Sequence, residues 1–283
     1  MKFLVTGANG QLGRDVMRAL VLHGASAVGV GRADADITDA DAVHALISRV
    51  RPDVVIHSAA YTAVDRAEEQ RELCRATNED GTRNVARAAD ACDASMVYIS
   101  TDYVFDGQGT LPFSEDAITA PINWYGITKE AGERAVRETC VNAWILRTAW
   151  AFGLTGRNFV QTMLRLGREK PELRVVADQI GSPTYTADLA EAIVGLTMGH
   201  APYGNYHATN EGFVSWCDFA RAILRCAAID TPVAAIPSSA YTVAAKRPHN
   251  SRLSKRKLAA LGLSLPPWED ALRRYLREAG YGL

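Results

Sequence analysis

The sequence predicts an α/β fold, in which a Rossmann-type doubly wound parallel sheet is followed by a smaller C-terminal α/β lobe. Short apolar runs typical of buried strands alternate with longer helical patterns over the first half of the chain, and such alternation is typical of parallel sheets. A glycine-rich turn joins the first strand to the first helix. After residue 150 the alternation loosens. We therefore expect one domain at 1–150 and a second lobe at 151–283, some segments of which return to the first domain.

The strands of the first domain are short apolar runs bounded by turn residues. They lie at 3–5, 27–30, 54–57, 96–99 and 144–148. The helical patterns between them carry apolar residues on one face, as Val16, Leu20 and Val21 do after the first strand. The longest of these patterns runs from 64 to 91 and is interrupted at 78–81. Strand and helix thus follow each other in the βαβ order of a parallel sheet.

Gly7, Gly10 and Gly13 occupy the turn after the first strand. Glycine permits a tight turn, a close approach of the backbone to a diphosphate and close packing of helix on strand. The helix that begins there offers free N–H groups and the positive end of its dipole to the anion. The spacing Gly-x-x-Gly-x-x-Gly differs from the Gly-x-Gly-x-x-Gly of the common dehydrogenases. Its position predicts a dinucleotide site, with a glycine-rich turn that binds nothing as the alternative.

Arg32 follows the second strand, where NAD-selective sites usually have an acid that holds the ribose hydroxyls. An arginine there can accept a 2′-phosphate, so this residue favours NADPH over NADH. An ordinary exposed loop arginine is the alternative. Small residues after the third strand, among them Ala59 and Ala60, allow a cofactor to pass close to the backbone.

Tyr125 and Lys129 are four residues apart and share one face if their segment is helical. A phenol loses its proton near about pH 10, and an ammonium one turn away would lower that pKa. The pair is therefore a candidate proton donor for a carbonyl under reduction. Thr101 ends the fourth strand, at the sheet edge where doubly wound folds bind ligands. Its hydroxyl can hydrogen-bond a substrate carbonyl and the tyrosine together.

The composition excludes several classes of protein. The 31 basic and 32 acidic residues give a net charge of −1, which argues against a nucleic-acid or anionic-membrane partner. No apolar run approaches the ~18 residues of a membrane span, and we see no signal-peptide pattern at the N-terminus. The five cysteines form no C-x-x-C pair, as is typical of reduced thiols. We therefore expect a cytoplasmic protein.

The order of the motifs resembles the extended short-chain dehydrogenase/reductases. It comprises the three glycines, Asp36-Ile37, Asn78, Thr101 and Tyr125-x-x-x-Lys129. Longer segments resemble one family among them, the dTDP-4-dehydrorhamnose reductases. These segments lie at 59–65, 100–107, 125–129, 147–150, 178–184 and 247–253. They span nearly the whole chain, and their combination is far more specific than any one of them.

The resemblance implies that the 4-keto group of dTDP-4-dehydro-L-rhamnose is reduced by hydride from NADPH or NADH. Tyr125 would donate the proton, Lys129 would hold the nicotinamide ribose, and Thr101 would help to fix the sugar. With the residues named above, the cofactor-binding set is Gly7, Gly10, Gln11, Leu12, Gly13, Arg32, Asp36, Ile37, Ala59, Ala60, Tyr61, Tyr125 and Lys129. The substrate-binding set is Thr101, Asp102, Trp150 and Arg252.

Two of these substrate contacts have ordinary alternatives. An indole face suits the apolar side of a deoxysugar, but Trp150 is a core tryptophan in the alternative interpretation. Arg247 and Arg252 place two guanidiniums in one segment, suited to a nucleotide diphosphate. A solvated basic loop is the alternative for both arginines.

The resemblance leaves the metal, the assembly and the exact reaction open. Some members of the family bind Mg²⁺ with acids at a dimer contact, and the matching positions here are Asp15, Asp188 and Glu269. Surface carboxylates are usually only solvated, so we assign no metal ligand; a homodimer is one compatible assembly. Another nucleotide-sugar 4-ketoreductase is the first alternative function, because substrate choice lies in loops. A non-catalytic NADP-binding regulatory subunit is the second, although the intact Tyr125 and Lys129 pair argues against it.

Overall fold

The structure, a computed structural model, describes residues 1–282. Its strands in chain order are β1 (Lys2–Thr6), β2 (Ser26–Val30), β3 (Val54–His57), β4 (Ser95–Thr101), β5 (Ala143–Thr148), β6 (Ala151–Phe152), β7 (Leu173–Val176), β8 (Ile180–Gly181), β9 (Thr184–Tyr185), β10 (Gly204–His207), β11 (Val214–Ser215), β12 (Val233–Ile236) and β13 (Asn250–Ser251). The α-helices are α1 (Gln11–Leu22), α2 (Ala40–Val50), α3 (Val64–Ala67), α4 (Arg71–Arg75), α5 (Gly81–Asp90), α6 (Trp124–Thr139), α7 (Phe159–Glu169), α8 (Thr186–Met198), α9 (Trp216–Cys226), α10 (Arg256–Ala259) and α11 (Trp268–Glu278).

Six parallel strands form the central sheet in the order β2-β1-β3-β4-β5-β10. The chain moves outward from β1 to β2 and then returns to the other side of β1 as β3. The strand order therefore reverses between β1 and β3, and ligands bind outside the carboxyl ends of strands at such a reversal. This sheet confirms the predicted Rossmann-type α/β fold.

The central strands form because their sequences are apolar without interruption. Every residue of β3 is buried, as are the apolar residues of β1, which is typical of parallel strands that are covered by helices on both faces. In α1 the buried residues include Val16 and Leu20, as expected. Val21, which we placed on the same face, is 67% exposed. It lies on the solvent side because each helical residue turns about 100° from the one before it.

The chain returns to the central sheet after residue 150. Strand β10 pairs with β5, and helix α8 packs against α1. One apolar cluster joins Phe3 and Val5 of the first strand to Ile193 and Tyr206 of the second half. The two halves are therefore stabilised by a shared core, while the domain boundary at 150 stays a prediction.

The rest of the second half forms a smaller lobe with a core of its own. Helices α7, α9 and α11 contribute to a cluster that includes Phe152, Val160, Phe219 and Leu272. Short sheets of two or three strands, among them the parallel pair β7 and β12, complete this lobe. Among residues 1–282, none of the helices combines the length and the apolar character needed to cross a membrane.

Candidate active site

The glycine turn lies at the carboxyl end of β1, where its backbone packs too closely for side chains. Gly7 has a φ of +66°, and a Cβ there would lie 2.7 Å from the backbone nitrogen of Ala59. A Cβ at Gly13 would overlap the carbonyl oxygen of Gly7. Helix α1 begins directly after Gly10 without a side-chain cap, so its first N–H groups are free for an anion. The turn fits a diphosphate.

Two cavities meet at this turn. One, of about 400 Å³, extends towards the end of β2 and is lined by Arg32, Asp36, Ile37, Ala59 and Tyr61 among others. The other, of about 520 Å³, extends towards the end of β5 and is lined by Gln11, Leu12, Thr101, Asp102, Tyr125, Lys129 and Trp150 among others. Both are lined by Gly7, Gly10, Ser58 and Ala60. The structure thus brings most of the predicted site residues to one elongated cleft at the carboxyl edge of the sheet.

Arg32 and Asp36 form an exposed ion pair in the first cavity. Two guanidinium nitrogens of Arg32 donate to Asp36 Oδ2, each at 3.1 Å. The other carboxylate oxygen accepts from the backbone N–H and the hydroxyl of Thr38. The hydrogen bonds from Thr38 keep the pKa of Asp36 below its usual value. Both oxygens of the Asp36 carboxylate already accept hydrogen bonds, so this carboxylate differs from the acid that usually holds a ribose diol. Arg32 is the cation of the pair.

Asn78 fixes the loop that borders both cavities. The long helical pattern at 64–91 is four short pieces in the structure, with a π-helix at Ala76–Asp80 between α4 and α5. The Asn78 side chain accepts from the backbone N–H of Tyr61 at 2.8 Å and donates to its carbonyl oxygen at 3.1 Å. It also donates to the hydroxyl of Thr128 in α6. In the sequence, Asn78 was marked only by its place in the motif order, which did not indicate that its side chain holds the backbone of Tyr61.

Tyr125 and Thr101 meet in the second cavity. Asn123 caps α6 by accepting from the backbone N–H of Gly126 at 2.8 Å, which starts the helix next to Tyr125. Burial raises the pKa of the Tyr125 phenol well above its usual value, and the interaction with the Thr101 hydroxyl lowers it in part. The sequence predicted a lowered pKa from the neighbouring lysine. That direction is wrong for this structure, because the loss of water around the phenol outweighs every favourable contact.

Lys129 faces β4 from one turn further along α6. Its ammonium donates to the carbonyl oxygen of Ile99 at 2.6 Å and lies 4.0 Å from the centre of the Tyr98 ring. Burial lowers the pKa of Lys129 to about 7, although the Glu133 carboxylate acts in the opposite direction. The lysine also lines the second cavity. The Lys129 side chain is therefore accessible from the cleft, and its ammonium form is only partly stabilised by the surrounding protein.

Two buried polar atoms in the second cavity lack a hydrogen-bond partner among residues 1–282. They are Asp102 Oδ2 and Thr148 Oγ1. The other carboxylate oxygen of Asp102 accepts from Thr101 at 3.0 Å, and burial raises the pKa of Asp102 to about 6. Buried polar atoms are normally satisfied, so this pair suits a ligand that carries hydroxyl groups.

Trp150 stands at the end of the same cavity with a φ of +49°. Its ring stacks on Trp216, with centroids 3.6 Å apart and planes 13° apart. A Cβ at Gly181 would lie 2.8 Å from the Trp150 ring, so only glycine leaves room for the indole there. The stack occupies one indole face, and sequence patterns could not predict this contact because Trp216 comes from a different element.

The two arginines near the C-terminus are held by the protein itself. Arg247 forms a two-pronged ion pair with Asp65, with distances of 2.9 and 2.7 Å. Arg252 donates to the side-chain oxygen of Asn250 at 3.0 Å and is not among the residues that line either cavity. A contact of Arg252 with a diphosphate stays a prediction.

The acids considered for Mg²⁺ are engaged elsewhere. Asp15 accepts a hydrogen bond from Thr186, and Asp188 is ion-paired with Arg274 at 2.7 Å. Asp188 also accepts from Asn210 at 2.7 Å. Within residues 1–282 there is no group of three His, Cys, Asp or Glu side chains that could hold a metal ion. The structure therefore gives no support to a Mg²⁺ site formed by these acids and Glu269.

Comparison with known proteins identifies the family of this chain. The family model described as "RmlD substrate binding domain" matches residues 1–280. A dTDP-4-dehydrorhamnose reductase of Streptomyces griseus is 43% identical over 96% of this chain and 91% of its own length.

Two crystal structures extend the likeness to three dimensions. A dTDP-4-dehydrorhamnose reductase of Clostridium acetobutylicum superposes with a TM-score of 0.95 at 40% identity, over 98% of this chain and 99% of that one. The enzyme of Bacillus anthracis, solved in complex with NADP, gives a TM-score of 0.94 at 41% identity with the same coverage. The family resemblance predicted from the motifs is thereby confirmed.

A further relative carries a different name. A protein of Streptomyces antibioticus called "Probable dTDP-4,6-dihydroxy-2-methyloxan-3-one 4-ketoreductase" is 38% identical over 96% of this chain and 94% of its own length. The scaffold is thus shared by proteins named for different keto sugars.

Proposed function

The chain belongs to the dTDP-4-dehydrorhamnose reductase family, and we propose that it reduces the 4-keto group of dTDP-4-dehydro-L-rhamnose to give dTDP-L-rhamnose. As a member of this family it is an NAD(P)H-dependent oxidoreductase. The observation that carries the proposal is the meeting of Thr101, Tyr125 and Lys129 in one cavity that opens onto the glycine turn.

The cleft fits a nicotinamide dinucleotide in three respects. The glycine turn leaves no space for a Cβ at Gly7 or Gly13 and presents free N–H groups at the start of α1. The first cavity suits the adenosine half, with Arg32 beside it as a partner for a 2′-phosphate. The second cavity suits the nicotinamide half and the sugar together. When bound, the reduced cofactor supplies the hydride that the keto carbon receives.

Tyr125 supplies the proton that the keto oxygen needs. Its pKa is raised, so the phenol is protonated throughout the neutral range and ready to donate. Thr101 lies beside it, and Lys129 places a positive charge one turn away, where it stabilises the phenolate that remains after proton transfer. Burial weakens the phenol as an acid, and the lysine and threonine offset that effect at the moment of transfer.

The sugar is held by the polar atoms at the end of the second cavity. Asp102 Oδ2 and Thr148 Oγ1 are the atoms available to hydroxyl groups. The exposed part of Trp150 offers an apolar surface for the methyl group or the hydrogen-bearing face of a 6-deoxysugar. Because Trp216 covers one face of the indole, contact with the substrate is made through the remaining face or edge.

Reduction of a different dTDP-linked keto sugar is the second candidate function. The observation that favours it is the likeness to the Streptomyces antibioticus protein named for another keto sugar. Polar atoms such as Asp102 Oδ2 can form hydrogen bonds with hydroxyl groups in more than one arrangement, so the cavity alone does not select between the two sugars.

The direct test is the oxidation of NADPH and of NADH, followed at 340 nm, with dTDP-4-dehydro-L-rhamnose as substrate. Tyr125→Phe removes only the phenol oxygen, and we expect a loss of about 100-fold or more in kcat, since general acid catalysis contributes roughly 10²–10⁴-fold. Tyr203→Phe is the matched control, because Tyr203 packs on Trp144 with ring centroids 4.6 Å apart and lines neither cavity.

Each outcome of this test discriminates between the candidates. Turnover that requires Tyr125 and yields dTDP-L-rhamnose supports the proposal, and the better of the two cofactors reveals the preference. Turnover only with another dTDP-linked keto sugar favours the second candidate. Binding of NADPH without turnover of any keto sugar would leave a regulatory subunit as the function. A cytoplasmic location and a homodimer stay predictions.

A further inference from the structure

Glu133 is a buried carboxylate in the same row of α6 as two residues of the proposed active site. Tyr125, Lys129 and Glu133 follow each other at intervals of four residues, so they lie along one face of the helix. The Glu133 side chain is 0% exposed. The reaction proposed above assigns no role to Glu133. Burial of a carboxylate costs free energy, so its presence in the core calls for a structural or functional explanation.

Glu133 is held by three donors from two strands and its own helix. The hydroxyl of Ser100 in β4 donates to Oε1 at 2.6 Å. Arg147 in β5 donates to both carboxylate oxygens at 2.7 Å, and Arg137 in α6 donates to Oε2 at 2.6 Å. These charge-assisted bonds keep the pKa of Glu133 below its usual value despite burial. The carboxylate is therefore ionised in the folded protein.

The Arg147 partner of this carboxylate cannot turn towards water. Its side chain is 1% exposed, and its remaining nitrogen donates to the carbonyl oxygen of Glu115 at 3.1 Å. The guanidinium also lies 5.0 Å from the centre of the Phe105 ring. The ion pair thus has a fixed geometry on the strand that ends at Thr148, beside the cavity.

Strand β4 is bonded to this row of α6 at successive residues. The carbonyl oxygen of Ile99 accepts from Lys129, and the hydroxyl of Ser100 donates to Glu133. The next residue, Thr101, lies beside Tyr125 in the cavity. A displacement of Glu133 would therefore shift the helix relative to the strand that carries the threonine.

Lys129 has few other charges near it. The ionisable groups that face it from the packed elements are His57 of β3, Tyr98 of β4, Cys74 of α4, and Tyr125 and Glu133 of α6. Burial lowers the pKa of His57 to about 3, and burial raises the pKa of both Cys74 and Tyr98. These groups are neutral near pH 7, so Glu133 is the only anion among them.

We propose that Glu133 is a positioning residue for the reaction proposed above. Its carboxylate, fixed by Arg147 and Ser100, is the countercharge that favours the protonated form of Lys129, and it holds the Lys129 turn of α6 at the carboxyl end of β4. Glu133 itself touches neither of the two cavities. Its effect reaches the keto group only through Lys129 and Tyr125.

The test compares Glu133→Gln with the wild-type protein over a range of pH. Loss of the carboxylate lowers the pKa of Lys129, because the ammonium loses its countercharge while Arg137 and Arg147 remain. We expect the high-pH limb of kcat, measured with saturating sugar and NADPH, to move to lower pH by about one unit. Titration of the Lys129 ammonium by NMR, in protein without ligands, gives the same shift independently of activity.

Two variants serve as controls for this comparison. Glu138→Gln makes the same change in the same helix, where Glu138 is half-exposed and pairs with Arg83 at 3.0 Å. We expect the high-pH limb of kcat in this variant to stay at the wild-type pH. Glu133→Asp keeps the charge and shortens the side chain, so it keeps the limb but lowers kcat about fivefold. If the pKa of Lys129 measured by NMR is the same in Glu133→Gln and in the wild type, Glu133 is not the countercharge of Lys129.

A second measurement covers the case in which Glu133→Gln does not fold, since it leaves Arg147 buried without its anion. Ser100→Ala removes only the neutral donor, and we expect it to lower kcat several-fold without moving the limb. Wild-type kcat in both Ser100→Ala and Glu133→Asp overturns the positioning role. If the wild type reduces no keto sugar, the proposed function is wrong. The NMR titration of Lys129 still tests whether the Glu133 carboxylate raises the pKa of the lysine, because it does not depend on activity.

Discussion

Burial decides the charge state of individual residues around the cleft. Removal from water shifts the pKa of Asp102 up to about 6, that of Lys129 down to about 7 and that of His57 down to about 3. Each shift favours the neutral form, as desolvation requires. Glu133 shows the opposite direction because Arg147 and Ser100 bond its ionised form. At the residue scale, the site is therefore a weakly charged cleft beside one firmly ionised pair.

Asp102→Asn should change how stability depends on pH. In the wild type the folded protein binds the Asp102 proton more tightly than the unfolded chain does, since the pKa is raised from 3.8 to about 6. Its favourable contribution is present below pH 3.8 and is lost as the pH rises through 6. The asparagine side chain does not titrate, so the variant has no loss of stability from this position as the pH rises. The free energy of unfolding of Asp102→Asn, relative to the wild type, should therefore rise by up to about 3 kcal/mol over this interval.

Urea unfolding of both proteins at pH 4 and at pH 8 measures this difference. Other titrating groups cancel, because both proteins contain them. Asp36→Asn is the contrasting control: the pKa of Asp36 is lowered from 3.8, so the stability that its carboxylate contributes is nearly the same at pH 4 and at pH 8 and is lost only at lower pH. A difference between Asp102→Asn and the wild type that does not change with pH would contradict the argument.

At the scale of elements, close contact between α6 and β4 places the reactive groups. Gly132 leaves no room for a side chain at this contact: a Cβ there would overlap the Tyr98 hydroxyl of β4 and lie 2.5 Å from the carbonyl oxygen of Asn78 in the π-helix. Two hydrogen bonds between α6 and β4 lie next to this contact: Lys129 donates to the carbonyl oxygen of Ile99, and Glu133 accepts from the hydroxyl of Ser100. Gly132 therefore allows the helix that carries Tyr125 to pack directly on Tyr98 and on the π-helix.

Gly132→Ala should push α6 away from the Tyr98 side chain and from the π-helix that contains Asn78. Overpacking of this kind costs about 1–3 kcal/mol, because the backbone oxygen of Asn78 cannot move aside. We expect a lower free energy of unfolding in urea together with a lower kcat. Gly195→Ala in α8 is the matched control, since its Cβ would meet only the end of the Leu263 side chain, which can rotate. Equal stability of Gly132→Ala and the wild type would mean that the contact adapts without cost.

The whole molecule is stabilised by a core that the two halves share. Strand β10 forms one edge of the central sheet, and α8 covers α1 with Leu189 and Ile193. The sheet is therefore incomplete without residues far beyond 150. The cleft also depends on both halves, because Trp150 is held by Trp216 and Gly181.

Residues 1–150 alone should not form a stable domain. Without α8 and β10 the fragment would expose the apolar cluster around Phe3 and Val5 as well as one edge of β5. We expect the fragment to lack a cooperative thermal transition in circular dichroism, whereas the full chain unfolds in one transition. A fragment that melts cooperatively and binds NADPH would show that the first half folds independently.

Sequence patterns predicted the parts of the molecule that local chemistry determines. Uninterrupted apolar runs specified the central strands, the spaced glycines specified the turn, and the Tyr125–Lys129 interval specified one helical face. Together with the motif order, these features led to the family. Each of them depends on neighbours within a few residues, so it can be recognised in one dimension.

Tertiary structure alone decided the features that combine distant segments. The pKa of Tyr125 depends on how much protein surrounds it, and for that reason the prediction from the lysine alone had the wrong direction. Arg247 meets Asp65, Trp150 meets Trp216, and Glu133 meets Arg147 across elements that the sequence separates. Desolvation and packing are properties of the assembled core, so they become defined only when the strands and helices are in place.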